Sequence, residues 1–173
     1  CDTAYSSPIY HDHTYTGINY YGYNQIFYDF IVGCESNLNS NAIWMLEDGD
    51  YYASRWLLQE SPNALVYNNA YFGTGYQTDD DDGFYMPQDI TRDDTNRYFV
   101  LDKLSTGDPS IKVWTISGDT TTSIGSFGNT TTINGDPLRI EGSDFDDKIV
   151  VLHGSAAPYK ISVFGPYEMP PYI

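Results

Sequence analysis

Two stretches of this chain, residues 87–114 and 137–164, repeat each other at a constant spacing of 50. Pro87 corresponds to Pro137, Ile90 to Ile140 and Asp94 to Asp144. Phe99-Val100-Leu101 then falls on Ile149-Val150-Val151, and Ile111-Lys112-Val113-Trp114 on Ile161-Ser162-Val163-Phe164, with no gap. Repeats of roughly 20–50 residues mark supersecondary units that cannot bury an apolar face alone and must stack on neighbours. The chain is therefore built from copies of one sheet-forming unit.

Each unit reads as strands joined by tight turns. In the first copy Arg97–Asp102, Ser110–Ile116 and Thr120–Phe127 are predicted strands, separated by Ser105–Pro109 and by Ser117-Gly118-Asp119. In the second, Asp147–His153 and Tyr159–Phe164 flank Gly154–Pro158. The run Ile149-Val150-Val151-Leu152 lacks alternation, which predicts a strand covered on both faces. The strand Ser110–Ile116 is expected to be covered on both faces only toward its end. Upstream, Phe30–Trp56 reads as a divergent copy. Ala42–Leu46 and Tyr51–Ala53 form its strands, and Glu47-Asp48-Gly49-Asp50 is their turn. The divisions that follow are a Tyr-rich arm over 1–29, repeats over 30–86, 87–136 and 137–164, and an extended Pro-rich tail over 165–173. The prolines of that tail remove ladder donors and exclude it from a sheet interior.

Composition agrees. Seventeen tyrosines, fifteen glycines and few helix-forming runs place the chain in the all-β class. Twenty-four acidic against eight basic residues give a net charge of −16, a surface that repels phosphate backbones and anionic headgroups. Nucleic acid is thus not an expected partner. No apolar run approaches membrane-spanning length, so membrane insertion is not expected either. A chain opening on Cys1 without an initiator Met reads as a processed product or a piece of something longer.

Specific segments resemble known repeats. Ile31-Val32-Gly33 followed by Ile43–Ala53 looks like the repeat of RCC1-like β-propellers. The stretch Asn68–Gly75, with Thr78–Asp82 and Pro87 after it, is similar to the glycine-rich linker between their blades. Tyr98–Asp102 and Ile111–Trp114 resemble NHL-type blades. The resemblance implies antiparallel repeats in a propeller-like arrangement, partial or completed by other chains, because about three units fall short of the four to eight blades typical of closed propellers. A two-sheet β-sandwich is the alternative.

Several residues are candidates for sites. His11 and His13 would share one face of a strand, as zinc, copper or nickel ligands do; loop histidines without a metal are the alternative. Asp79, Asp80, Asp81 and Asp82 crowd hard oxygens before Gly83, which suits calcium; no EF-hand spacing is present, and a solvated acidic loop is the alternative. Cys1 and Cys34 could form a disulfide in an oxidising setting or remain free thiols. Asn129-Thr130-Thr131 is a glycosylation sequon. Tyr20, Tyr21, Tyr23, Trp44, Trp56 and Trp114 are candidates for interface or sugar-stacking contacts, against ordinary packing. Acidic turn residues such as Asp93-Asp94 are expected to bond their own backbone.

No nucleophile elbow, Cys–His pair or phosphate loop occurs. The leading expectation is a non-catalytic structural or interaction protein of an extracellular, virus or phage assembly. It would present a rigid β surface to sibling subunits, as a homo-oligomer. A carbohydrate-binding or adhesion module with glycan ligands, and a secreted glycoside hydrolase using paired carboxylates, are the alternatives. No cofactor is expected other than the calcium considered above.

Overall fold

A computed structural model describes residues 18–20, 23–25, 31–36, 42–47, 51–60, 63–143 and 148–165, and all regular structure among them is β-strand. Strands β1 (Ile18–Tyr20), β2 (Tyr23–Gln25), β3 (Ile31–Ser36), β4 (Ala42–Glu47), β5 (Tyr52–Glu60) and β6 (Asn63–Gly73) form a first sheet, ordered β2-β1-β6-β5-β4-β3. Strands β7 (Pro87–Arg92), β8 (Arg97–Lys103), β9 (Pro109–Ser117) and β10 (Thr120–Phe127) form a second, ordered β10-β9-β8-β7. Strands β11 (Pro137–Gly142), β12 (Ile149–His153) and β13 (Lys160–Phe164) form a third, in sequence order. Neighbouring strands are antiparallel, except that β1 runs parallel to β6.

The repeat is visible as architecture. β3, β7 and β11 each open a meander, lie side by side, and carry a register shift near the strand start, at Ile31/Gly33, Pro87/Asp89 and Pro137/Arg139. A bulge at a recurring position bends each opening strand in the same way. Three sheets succeeding one another around adjacent opening strands make the fold propeller-like. The two-sheet sandwich alternative is set aside, because the second sheet is covered on both faces.

Those two coverings are separate cores. Between the first and second sheets pack Trp44, Leu46, Ala53, Ala70, Phe72, Phe84, Ile90, Tyr98, Val100 and Trp114. Phe72 sits at its centre, with ring centroids 5.0 Å from Trp44 and 5.1 Å from Trp114. Between the second and third sheets pack Phe99, Leu101, Ile111, Val113, Ile133, Ile140, Ile149 and Val151. Successive side chains on a strand point to opposite faces, so Tyr98 and Val100 serve the first core while Phe99 and Leu101 serve the second. Each such fully buried side chain contributes about 1.5–3 kcal/mol relative to exposure.

The ungapped repeat is corrected by one residue. Ile90 pairs with Val100, whereas Ile140 pairs with Val151; Val100 pairs with Lys112, whereas Val151 pairs with Ser162. Val100 thus corresponds to Val151, 51 residues on, while Ile90 and Ile111 keep a spacing of 50 from Ile140 and Ile161. One residue is gained in the loop before β12 and one lost in the loop after it. The slip is required because a one-residue shift exchanges the two faces of a strand. With it, Val100 and Val151 both face the preceding sheet.

Two burial expectations also change. β12 is closed on one face only: Ile149 and Val151 are buried, Val150 and Leu152 half-buried. β9 is covered on both faces over its first six residues and opens at its end, the reverse of the expected order. The residues 48–50 of the expected β4–β5 turn, and the tail beyond Gly165, lie outside the described residues. The loop after β7 behaves as expected. Asp93, buried, accepts hydrogen bonds from Thr95 N (2.9 Å), Thr95 Oγ1 (2.8 Å) and Arg97 N (3.0 Å), and pairs with the Arg97 guanidinium.

β7 and β11 approach closely enough for side chains of one to bond the backbone of the other. Ile140 N donates to Asp89 Oδ2 (3.1 Å) and Gly142 N to Thr91 Oγ1 (2.8 Å). A Cβ on Gly142 would stand 2.1 Å from the Arg92 carbonyl oxygen. Gly142→Ala is therefore expected to destabilise the chain by about 1–3 kcal/mol, as overpacking against backbone does, read as a lower urea midpoint with unchanged slope.

Candidate functional site

The polar chemistry of the described residues gathers on the two linkers that carry the chain from one sheet to the next. The first, residues 74–86, crosses the second sheet and contains the acidic run. Lys112, centred in the apolar strand β9, has its ammonium buried beneath it and donates to the backbone oxygens of Asp79 and Asp80, both at 2.6 Å. The Asp79 carboxylate accepts from Ser105 N (2.8 Å) and the Ser105 hydroxyl, and these bonds hold its pKa below the usual carboxylate value, with Lys112 adding a smaller pull. Asp81 accepts from Ser126 Oγ through its carboxylate (2.6 Å) and from Ser123 Oγ through its carbonyl (2.7 Å). Asp80 is tied locally to Thr78 Oγ1 (2.9 Å). The acidic run considered for calcium lies as a strap over β9 and β10, with the Lys112 ammonium bonded to its backbone from beneath.

Beside it, Asp102 at the end of β8 is fully buried and takes Tyr85 N and Met86 N (2.8 Å to the latter). Burial raises its pKa, opposed by those backbone donors and by Lys112. Asp89 is also raised, by burial first, against the N–H groups of Ile140 and Ile90.

The second linker, residues 128–136, is held by equivalent positions. Gly154 N donates to Asp136 O (2.9 Å) as Lys103 N does to Met86 O (3.2 Å), and His153 occupies the place of Asp102. The buried His153 ring reaches Asn134 O through Nδ1 (2.9 Å) and Ser162 Oγ through Nε2 (2.9 Å), and Ser162 Oγ donates to Thr132 O (2.5 Å). Lys103 Nζ meets Asp136 Oδ1 at 2.8 Å, which keeps that carboxyl below its usual pKa. Thr131, Thr132, Asn134, Lys160, Ile161 and Ser162 line an open cleft of about 510 Å³ above His153. A serine–histidine pair is present: His153 Nδ1 faces the Asn134 carbonyl, and the single Ser162 hydroxyl proton lies between His153 Nε2 and the Thr132 carbonyl. The pair fastens the linker to β12 and β13.

The other expected site residues separate. Trp44, Trp56 and Trp114 are at most 6 % exposed, so they are corrected from sugar-stacking platforms to packing residues, with the Arg55 guanidinium 5.8 Å over the Trp44 ring. Asn129 is exposed at the start of the second linker, its Oδ1 accepting from Thr131 N (2.9 Å). Tyr20 and Tyr23 pair across β1 and β2, and Cys34 lies on β3 opposite Met45. Cys1, His11, His13 and Tyr21 lie outside the described residues. Among the described residues no three His, Cys, Asp or Glu side chains come together as a metal cage, and no helix is long and apolar enough to cross a membrane. Lys112 and His153 were not singled out by sequence; the available signal for Lys112 was a charge inside Ile111-Lys112-Val113-Trp114.

With this geometry in hand, comparison with known proteins gives fold alone. No protein-family profile matches the chain, and no curated protein matches it. Among solved structures it is similar to a chain of a nidogen/laminin complex, with a TM-score of 0.54 at 14% identity over 80% of this chain. The match spans 45% of that longer chain. A protein from Lactobacillus plantarum is matched at a TM-score of 0.37 and 12% identity, over 65% of this chain and 32% of that one. The first likeness supports the propeller-like fold.

Two outcomes follow for the strap. Lys112→Met leaves two covered carbonyls without their donor and is expected to cost about 1–3 kcal/mol, with faster amide exchange at Thr78 and Gly83. For Asp102 the folded state binds its proton more tightly than the unfolded state. Its contribution is therefore fullest below about pH 3.8 and falls as pH rises through the raised folded value. Wild type should lose stability relative to Asp102→Asn between pH 4 and pH 7, read from urea midpoints at the two pH values.

Proposed function

We propose that this chain is a non-catalytic structural and interaction protein of an extracellular or virus-particle assembly, with blades of the RCC1-like or NHL-like kind. The observation that carries the reading is the last sheet. Its outward face leaves Ile161 68%, Val163 60% and Tyr159 58% exposed, on a scaffold whose interior is closed by two aromatic and aliphatic cores. Contiguous exposed apolar residues mark interaction sites rather than ordinary surface. The polar clusters are engaged in fastening linkers, which suits a rigid presenting surface. The net charge of −16 and the sequon at Asn129 favour an exterior location. No cofactor is part of this reading.

The test is to raise antibody against the chain and probe the particle, secreted and cell-interior fractions of its source, with labelled particles imaged by electron microscopy. The chain is expected in a purified particle or secreted fraction. Confinement to the cell interior would overturn the assignment, and glycan-array binding would move it to an adhesion module.

A further inference from the structure

The outward face of the third sheet is composed for pairing with itself. Cross-strand partners on this face line up in two rows: Arg139, Leu152 and Ile161 in one, Glu141, Val150 and Val163 in the other. Arg139 and Glu141 are the only charged side chains in the two rows, one of each sign, in a chain of net charge −16. The corresponding strand residues of the second sheet, Phe99, Leu101, Ile111 and Val113, are at most 1 % exposed, because the third sheet covers them. Ile161 and Val163, at the positions of Ile111 and Val113, are 68% and 60% exposed. At the other end of the stack the described residues of the face turned away from the second sheet are mixed: Ser54 is 1%, Met45 6% and Trp56 6% exposed, while Tyr71, the partner of Ser54, is 57% exposed.

We infer that the partner of this face is a second copy of the chain, seated sheet to sheet about a two-fold axis. This rests on the interaction reading above and names its partner. The axis lies in the interface, across the strands and level with Ile140, so that β11 crosses β11 antiparallel. One row of each copy then lies on the other row of its mate: Arg139 against Glu141, Leu152 against Val150, Ile161 against Val163. The arrangement is isologous and closes at two. Two protomers of a strongly acidic chain meet through rows in which Arg139 and Glu141 balance, with two reciprocal ion pairs beside the apolar residues. The face is only three short strands wide, which places the dimer among the smaller, dissociable interfaces.

The test is sedimentation equilibrium of the full chain over a concentration series, under reducing conditions so that cysteine cross-links do not contribute. A species of about 39 kDa, twice the 19.5 kDa chain, is expected at high concentration and should dissociate on dilution. Val163→Asp, at a position exposed in the single chain, should give monomer throughout with an unchanged far-ultraviolet circular dichroism spectrum. Arg139→Glu and Glu141→Arg should each weaken association by about tenfold or more, and the double swap should restore it. Monomer at every concentration, species larger than two, or a dimer indifferent to Val163→Asp and to the charge swap would each overturn the inference. A monomer that still labels particles leaves the assembly role standing. A dimer absent from every exterior fraction sinks that role and not this one.

Discussion

Burial of both faces of the second sheet is the constraint on which the rest depends. β8 and β9 send alternate side chains into two different cores, so nearly every residue from Tyr98 to Asp102 and from Ser110 to Trp114 is buried. A sheet covered twice fixes the spacing and order of its neighbours. The opening strands β3, β7 and β11 are drawn side by side, and the close approach of β11 to β7 selects Gly142 and lets Asp89 and Thr91 bond the facing backbone. Hydrogen bonds between sheets at this seam supply direction, which apolar packing alone lacks.

Stacked sheets leave a second problem, that of the polypeptide passing from one to the next over apolar surface. Here each linker is pinned to the sheet it borders by a charged or polar group at the end of the second strand, Asp102 in one case and His153 in the other. Lys112 adds a buried cation whose cost of desolvation is offset by two carbonyl oxygens and by the nearby carboxylates of Asp79 and Asp102. The same physics holds the acidic run in place: hydroxyls of Ser105, Ser123 and Ser126 converge on it from the β8–β9 connection and the edge strand β10. Linkers fastened in this way tie each sheet to the next.

The sequence determined the class and the unit. The 50-residue spacing, the paired Pro and Ile positions and the aliphatic clusters specified repeated antiparallel strands, and the Asp-rich turn after β7 specified its own backbone bonds at Asp93. What only the tertiary structure decided is which side of each strand looks at which neighbour. The compensating one-residue gain and loss around β12 leaves the alignment of apolar letters almost unchanged, yet it exchanges the faces of Val150 and Val151. In the same way, an Asp run, a tryptophan or a lysine has no fixed role in one dimension. Trp44 and Trp114 became core, Lys112 an internal cation and Asp79–Asp82 a strap, because burial and partners are set by residues 26 to 54 positions away. Periodicity is a local property and survives in sequence; coverage is a property of neighbours, and a strand does not encode its neighbours.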